Sequence, residues 1–104
     1  MYSQDFSRSD RLSDQIRTEI SAILREEVKD PRLKGLTIIK VKLSKDIKQA
    51  FIFFSAFNSF SEIKLEDVFI GLDKAKGFIR KLLGQRLKVK RIPELFFETD
   101  EINL

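Results

Sequence analysis

The chain contains no cysteine and no histidine. These two absences exclude much familiar chemistry. No disulfide, Cys–His nucleophile, Ser–His–Asp triad or zinc site with thiolate or imidazole ligands can be assembled. Long apolar runs are also missing. The longest surrounds residues 51–54, far short of the ~20 residues that span a bilayer. The opening Met1-Tyr2-Ser3-Gln4-Asp5-Phe6 has no apolar signal stretch. A soluble, cytoplasmic protein is expected. There is no phosphate-binding glycine loop of the Walker or dinucleotide type, and no repeat or low-complexity tract. Adjacent carboxylates such as Glu26-Glu27 and Glu66-Asp67 do not share a helix face, so they read as solvated surface. No catalysis, metal, cofactor or small-molecule substrate is expected.

What is present suits one domain over residues 1–104. Hydrophobic residues make up 42%, ten of them phenylalanine, and charged residues 35%. That is a globular composition able to bury one core. The net charge is only +4, but it is unevenly placed. Eight of the 20 Lys and Arg fall in residues 74–91, with no Asp or Glu among them, so elsewhere the 16 acidic residues outnumber the 12 remaining basic ones. A basic block on an otherwise acidic chain is the footprint of a polyanion partner, although a solvated helix face has the same composition.

Residues 8–28 carry Leu12, Ile16, Ile20, Ile23, Leu24 and Val28 at the spacing of one helix face. Ser7 or Ser9 is placed to cap this helix, and Ser7 with Asp10 matches a capping box. Asp30-Pro31 is expected to end it, because proline drives the preceding residue out of helical conformation. Residues 36–43 alternate as a strand, with Thr37, Ile39, Val41 and Leu43 opposing Lys40 and Lys42. Ser44-Lys45-Asp46 begins a turn. Residues 50–57 follow as a second strand, Ala50, Ile52, Phe54 and Ala56 opposing Phe51, Phe53, Ser55 and Phe57. The two strands predict an antiparallel hairpin.

After the connector Asn58-Ser59-Phe60-Ser61, a helical pattern runs through Leu65, Val68, Phe69, Leu72, Ala75, Ile79, Leu82, Leu83 and Leu87. Gly77 divides it, and a mid-helix glycine costs up to ~1 kcal/mol against alanine. Two helices, or one kinked at Ala75-Lys76-Gly77, are expected. Residues 89–99 give a last strand, with Pro93 marking an irregular or edge start. The order α-β-β-α-α-β predicts an α+β two-layer sandwich.

Within the basic block, Ile79, Leu82 and Leu83 face the core. Lys74, Lys76, Arg80 and Lys81 then fall on outer or flanking positions, and Arg86, Lys88, Lys90 and Arg91 extend the patch toward the last strand. Arginine forks and lysine charges both suit phosphates, and a helix start after the kink would add backbone N–H groups. Any one of these cations also serves as a solubility charge. Phe54, Phe69, Phe78 and Phe97 stand at core positions. Phe51 and Phe53 share a sheet face that would be open, where a core or protein contact outweighs base stacking.

The topology resembles a type II K-homology domain, which clamps a nucleic-acid backbone with a Gly-x-x-Gly loop. No Gly-x-x-Gly occurs; Ala75-Lys76-Gly77 stands in its place. Asp30-Pro31-Arg32-Leu33, Leu43-Ser44-Lys45-Asp46 with Ala50, Gly77-Phe78-Ile79-Arg80, and Arg91-Ile92-Pro93-Glu94-Leu95 with Phe97 and Asp100 resemble ribosome-binding factor A, in order from Arg8 to Asp100. The resemblance implies a K-homology-like fold in which an Ala-x-Gly helix kink (Ala75, Lys76, Gly77) replaces the loop. It also implies a bacterial factor that binds the free small ribosomal subunit and its rRNA; a monomer is expected. Such factors assist late maturation, including processing of the rRNA 5′ end, matter most in the cold, and leave before translation. Members often carry a tail past the last strand; here four residues follow Asp100. Two other readings differ in class. A general RNA- or DNA-binding module would not prefer small subunits, and a nuclease would turn over RNA with a metal.

Overall fold

The computed structural model describes residues 7–56 and 63–99. The connector 58–61, Phe57 and Asp100 lie outside the described residues. Helix α1 spans Arg8–Glu26. Its start is set locally: the Asp10 N–H donates to Ser7 Oγ and the Ser7 N–H donates to Asp10 Oδ2, each at 3.1 Å. This reciprocal pair satisfies two donors that a helix start leaves open. Ile16, Ile20, Ile23 and Leu24 are its buried face.

The helix stops at Glu26, before the expected Asp30-Pro31 boundary. Asp30 has another task. It caps a short 3-10 turn, Pro31–Leu33, by accepting the Arg32 N–H at 2.9 Å, and it pairs with the Arg32 guanidinium at 2.7 Å. These hydrogen bonds, the side-chain ones first, hold the Asp30 carboxyl below its usual range against partial desolvation. A carboxyl lowered in the fold stabilises it above the ordinary carboxylate range, and that contribution is lost as pH falls through the lowered value. Asp30→Asn keeps a capping oxygen but loses the charge paired with Arg32, so it is expected to destabilise by up to about 1 kcal/mol at neutral pH, the range of a partly exposed ion pair. The deficit should shrink as pH falls below the ordinary carboxylate range and through the lowered value. Parallel denaturation of parent and variant across this range checks it; a pH-independent deficit would contradict it.

Strands β1 (Thr37–Leu43) and β2 (Gln49–Ser55) pair antiparallel, and β3 (Glu94–Thr99) pairs parallel with β2, giving the order β1-β2-β3. The expected alternation in β1 fails at one point. Ile38 pairs with Phe54 and Lys40 with Phe53, so Ile39 is the extra residue of a bulge. Ile38 and Val41 are thereby buried, and Ile39 is 42% exposed. Between the strands the Ser44 hydroxyl donates to Asp46 Oδ1 at 2.8 Å, and Asp46 accepts the Lys48 N–H at 3.1 Å. Ile47 takes φ 61° there, an unfavourable region for a β-branched residue.

Helix α2 spans Leu65–Arg86 without interruption. Of the two expectations, two helices or one kinked helix, the pair is not found, and the order is α-β-β-α-β. Gly77 has no positive φ, and a Cβ there would meet no packing neighbour within 4 Å. Core contacts at Leu72 and Ile79, on either side, carry the helix across the weak position. No helix start exists after Gly77 to offer free N–H groups. Strand β3 begins at Glu94, later than expected, with Pro93 buried just before it.

Both helices bury their apolar faces on one side of the sheet, against Ala50, Ile52, Phe54 and Leu95. Phe69 meets Phe54 edge to face at 5.3 Å, a favoured aromatic geometry. The architecture is a small α+β domain of two helices on a three-stranded sheet. Among the described residues, no helix is long and apolar enough to cross a membrane.

Candidate nucleic-acid interface

Helix geometry separates the basic residues of α2 into directions. At 100° per residue, Lys74 and Lys81 lie within about 20° of each other on the solvent side, two turns or ~10.5 Å apart. Both are exposed. Neither pairs with a carboxylate among the described residues.

Lys76 leans the other way. It is half-buried, 3.9 Å from the Asp73 carboxylate, and its ammonium sits 5.9 Å from the Phe96 ring centre. It reaches past β3 to the outer sheet face, where Phe96 stacks on Phe51 at 5.4 Å. Ala75 is half-buried against the core.

Two arginines of the block are structural. Arg80 donates from Nε to the Pro93 carbonyl at 3.2 Å and from Nη2 to the Ile92 carbonyl at 2.8 Å. This clamps the approach to β3 onto α2. Arg86 pairs with Glu19 at 3.2 Å and Glu27 at 3.4 Å, tying α2 to α1. The sequence places both among the phosphate-binding cations; in the fold each guanidinium also has protein partners of its own. Carbonyl and carboxylate partners far along the chain hold their guanidinium groups in the fold.

Lys88, Lys90 and Arg91 are exposed after α2. Lys90 and Arg91 line a shallow groove with Arg80, Lys48, Asp46 and Glu94. Its four cations outnumber its two carboxylates. Lys48 lies outside the acid-free block, and its only signal in the sequence is its place after the Ser44-Lys45-Asp46 turn. Phe78, expected in the core, is 44% exposed.

The solvent side of α2 and this groove therefore form two basic areas, joined at Arg80 and Lys81. A larger cleft between the end of α1 and β1, lined by Leu24, Val28, Leu36 and Ile38 with Arg17 and Lys29, contains no member of the block. Among the described residues no group of three acidic side chains could hold a metal.

The ribosome-binding factor A family profile matches residues 8–103. The ribosome-binding factor A of Dictyoglomus thermophilum is 48% identical over 95 residues, covering 90% of this chain and 78% of that one. The crystal structure of ribosome-binding factor A from Thermus thermophilus superposes with a TM-score of 0.78 at 26% identity, covering 88% of this chain and 93% of that one. The Thermus thermophilus factor fitted into a cryo-EM map of a 30S–RbfA complex gives 0.73 at 26% identity, over 89% and 96% of the two chains. With 48% identity to one relative and the profile matching nearly its whole length, the chain belongs to the ribosome-binding factor A family.

Proposed function

We propose that this chain binds the free small ribosomal subunit through rRNA phosphates and assists late maturation of that subunit, including processing of the rRNA 5′ end. It acts as a monomeric, non-catalytic factor in the bacterial cytoplasm, with its main demand in cold growth. Family membership supports the reading, as does the relative fitted into a 30S complex. The carrying observation on this chain is the solvent-facing pair Lys74 and Lys81, without an ion pair among the described residues and continued by Lys88, Lys90 and Arg91 with no acidic residue between. Lys76 adds charge from the β3 side. Arg80 and Arg86 contribute by fixing the elements that carry the others.

A K-homology relation with flexure at Ala75-Lys76-Gly77 belongs to the same reading. What supports flexure is the glycine itself, which lacks a side chain to brace the turn.

The test is co-sedimentation with free small subunits, against large subunits and duplex DNA. Selective co-sedimentation with small subunits is expected; equal binding to all three would point to a general nucleic-acid module. With about four to six phosphates neutralised, log affinity should fall against log salt with a slope of roughly −3 to −5. A flat salt response would remove the phosphate-dominated mode.

A further inference from the structure

Of the seven phenylalanines among the described residues, six are engaged by the fold. Phe54 meets Phe69, and Phe51 stacks on Phe96. Phe53 lies under the Lys40 ammonium at 5.0 Å, and Phe97 packs on the core. Phe78 is the exception. It is 44% exposed, outside the core cluster and without a ring partner among the described residues.

One exposed apolar side chain is ordinary on a protein surface. The surroundings of this one are not. Its neighbours on the helix are Lys74 at i−4 and Lys81 at i+3 on the solvent side, and Ala75 and Leu82, packed on the core, on the other. Gly77 beside it presents no side chain, so the ring is open on that flank. Ile70, 47% exposed, continues the stripe one turn beyond Lys74. From residue 74 to the end of the helix no carboxylate interrupts it.

A protein partner covering Phe78 would have to desolvate two exposed ammonium groups that form no ion pair among the described residues, which is costly. An unpaired nucleotide suits both features: its base has a π-face for the ring and its phosphates meet the lysines. We propose that Phe78 is a base-stacking residue. It receives one unpaired nucleobase of the RNA whose phosphates Lys74 and Lys81 hold. This rests on the rRNA-binding reading above and adds a salt-independent component to it.

The chain has no tryptophan, so Phe78→Trp introduces a single emitter at the site. Its emission should be quenched on titration with a short single-stranded oligoadenylate and with free small subunits. Phe78→Ala should weaken subunit binding about 5- to 150-fold, with the salt slope unchanged, because stacking releases no counterions. Phe78→Leu, which keeps apolar bulk without the ring, should also lose affinity. Melting temperatures close to the parent's are expected, because the ring is outside the core. Leucine binding as well as phenylalanine, or tryptophan emission unmoved at saturating subunit, would overturn the assignment. If the parent binds subunits with a steep salt slope while Phe78→Ala binds equally well, only stacking fails. If the parent shows no subunit binding, the rRNA reading fails with it.

Discussion

Lys74→Glu combined with Lys81→Glu is expected to lower small-subunit affinity by on the order of 100-fold or more at physiological salt. Each reversal removes a phosphate contact and places a carboxylate against a polyanion, and such like-charge juxtapositions cost several kcal/mol. The fold should survive. Both side chains are exposed, without an ion pair among the described residues, on the solvent side of α2, where substitutions usually change stability by about 0.5 kcal/mol or less. Lys74 makes a weak attraction to the Asp30 carboxylate, so a small fall in melting temperature is expected from that half. The control is Lys40→Glu with Lys42→Glu, on β1 and outside the acid-free block, which should weaken binding less. Arg80 is a poor choice for the same test. Removing its guanidinium leaves the Ile92 and Pro93 carbonyls without their donors, so lost binding would report lost structure. Equal losses from the two lysine pairs, with melting temperatures held, would rule out a localised surface on α2.

The parts of this fold that could be read from sequence are those decided within a few residues. Ser7 and Asp10 stand three apart and cap α1 as their types require. The hairpin follows from two β-rich runs flanking a polar turn, and the buried faces of α1 and β2 follow their periods. Features decided at a distance were not legible. The Ile39 bulge inverts half of β1, because one inserted residue breaks a period of two and nothing in the local composition marks it. The basic block was visible as charge, but its division was not. Arg86 is claimed by Glu19, 67 residues earlier, and Arg80 by carbonyls 12 and 13 residues later. Phe78 was placed in the core for its apolarity, while helix phase puts it beside the lysines. The same limit applies to the glycines of α2. Composition shows a glycine inside a helix, but only packing shows which glycine is required.

That glycine is Gly71, and substitutions at the two sites should move stability in opposite directions. A Cβ at Gly71 would lie 3.1 Å from Leu33 Cδ2, 3.2 Å from Asp30 Oδ2 and 3.4 Å from Arg32 Nε. Here α2 rests directly on the Pro31–Leu33 turn, which explains why Asp30, Arg32 and Leu33 belong together: the first two lock the turn and the third, buried, presses it against the helix. Valine at Gly71 would push two methyl groups into that contact. Asp30 cannot yield easily, because it is held by the Arg32 backbone and guanidinium. Overpacking of this kind costs about 1–3 kcal/mol, more than the few tenths that valine gains over glycine in helix propensity. In a domain of this size the melting temperature should fall by about 4–8 °C per kcal/mol. At Gly77 the space is open and φ is not positive, so Gly77→Ala should stabilise by up to ~1 kcal/mol. Subunit binding separates the two further. Gly71→Val should bind in proportion to its folded fraction. Gly77→Ala should bind more weakly than the parent despite melting higher if flexure at that point accompanies docking, and equally well if the helix docks as a rigid rod. Thermal melts of both variants decide the packing claim: a Gly71→Val variant as stable as the parent would mean that α2 and the turn are not in close contact.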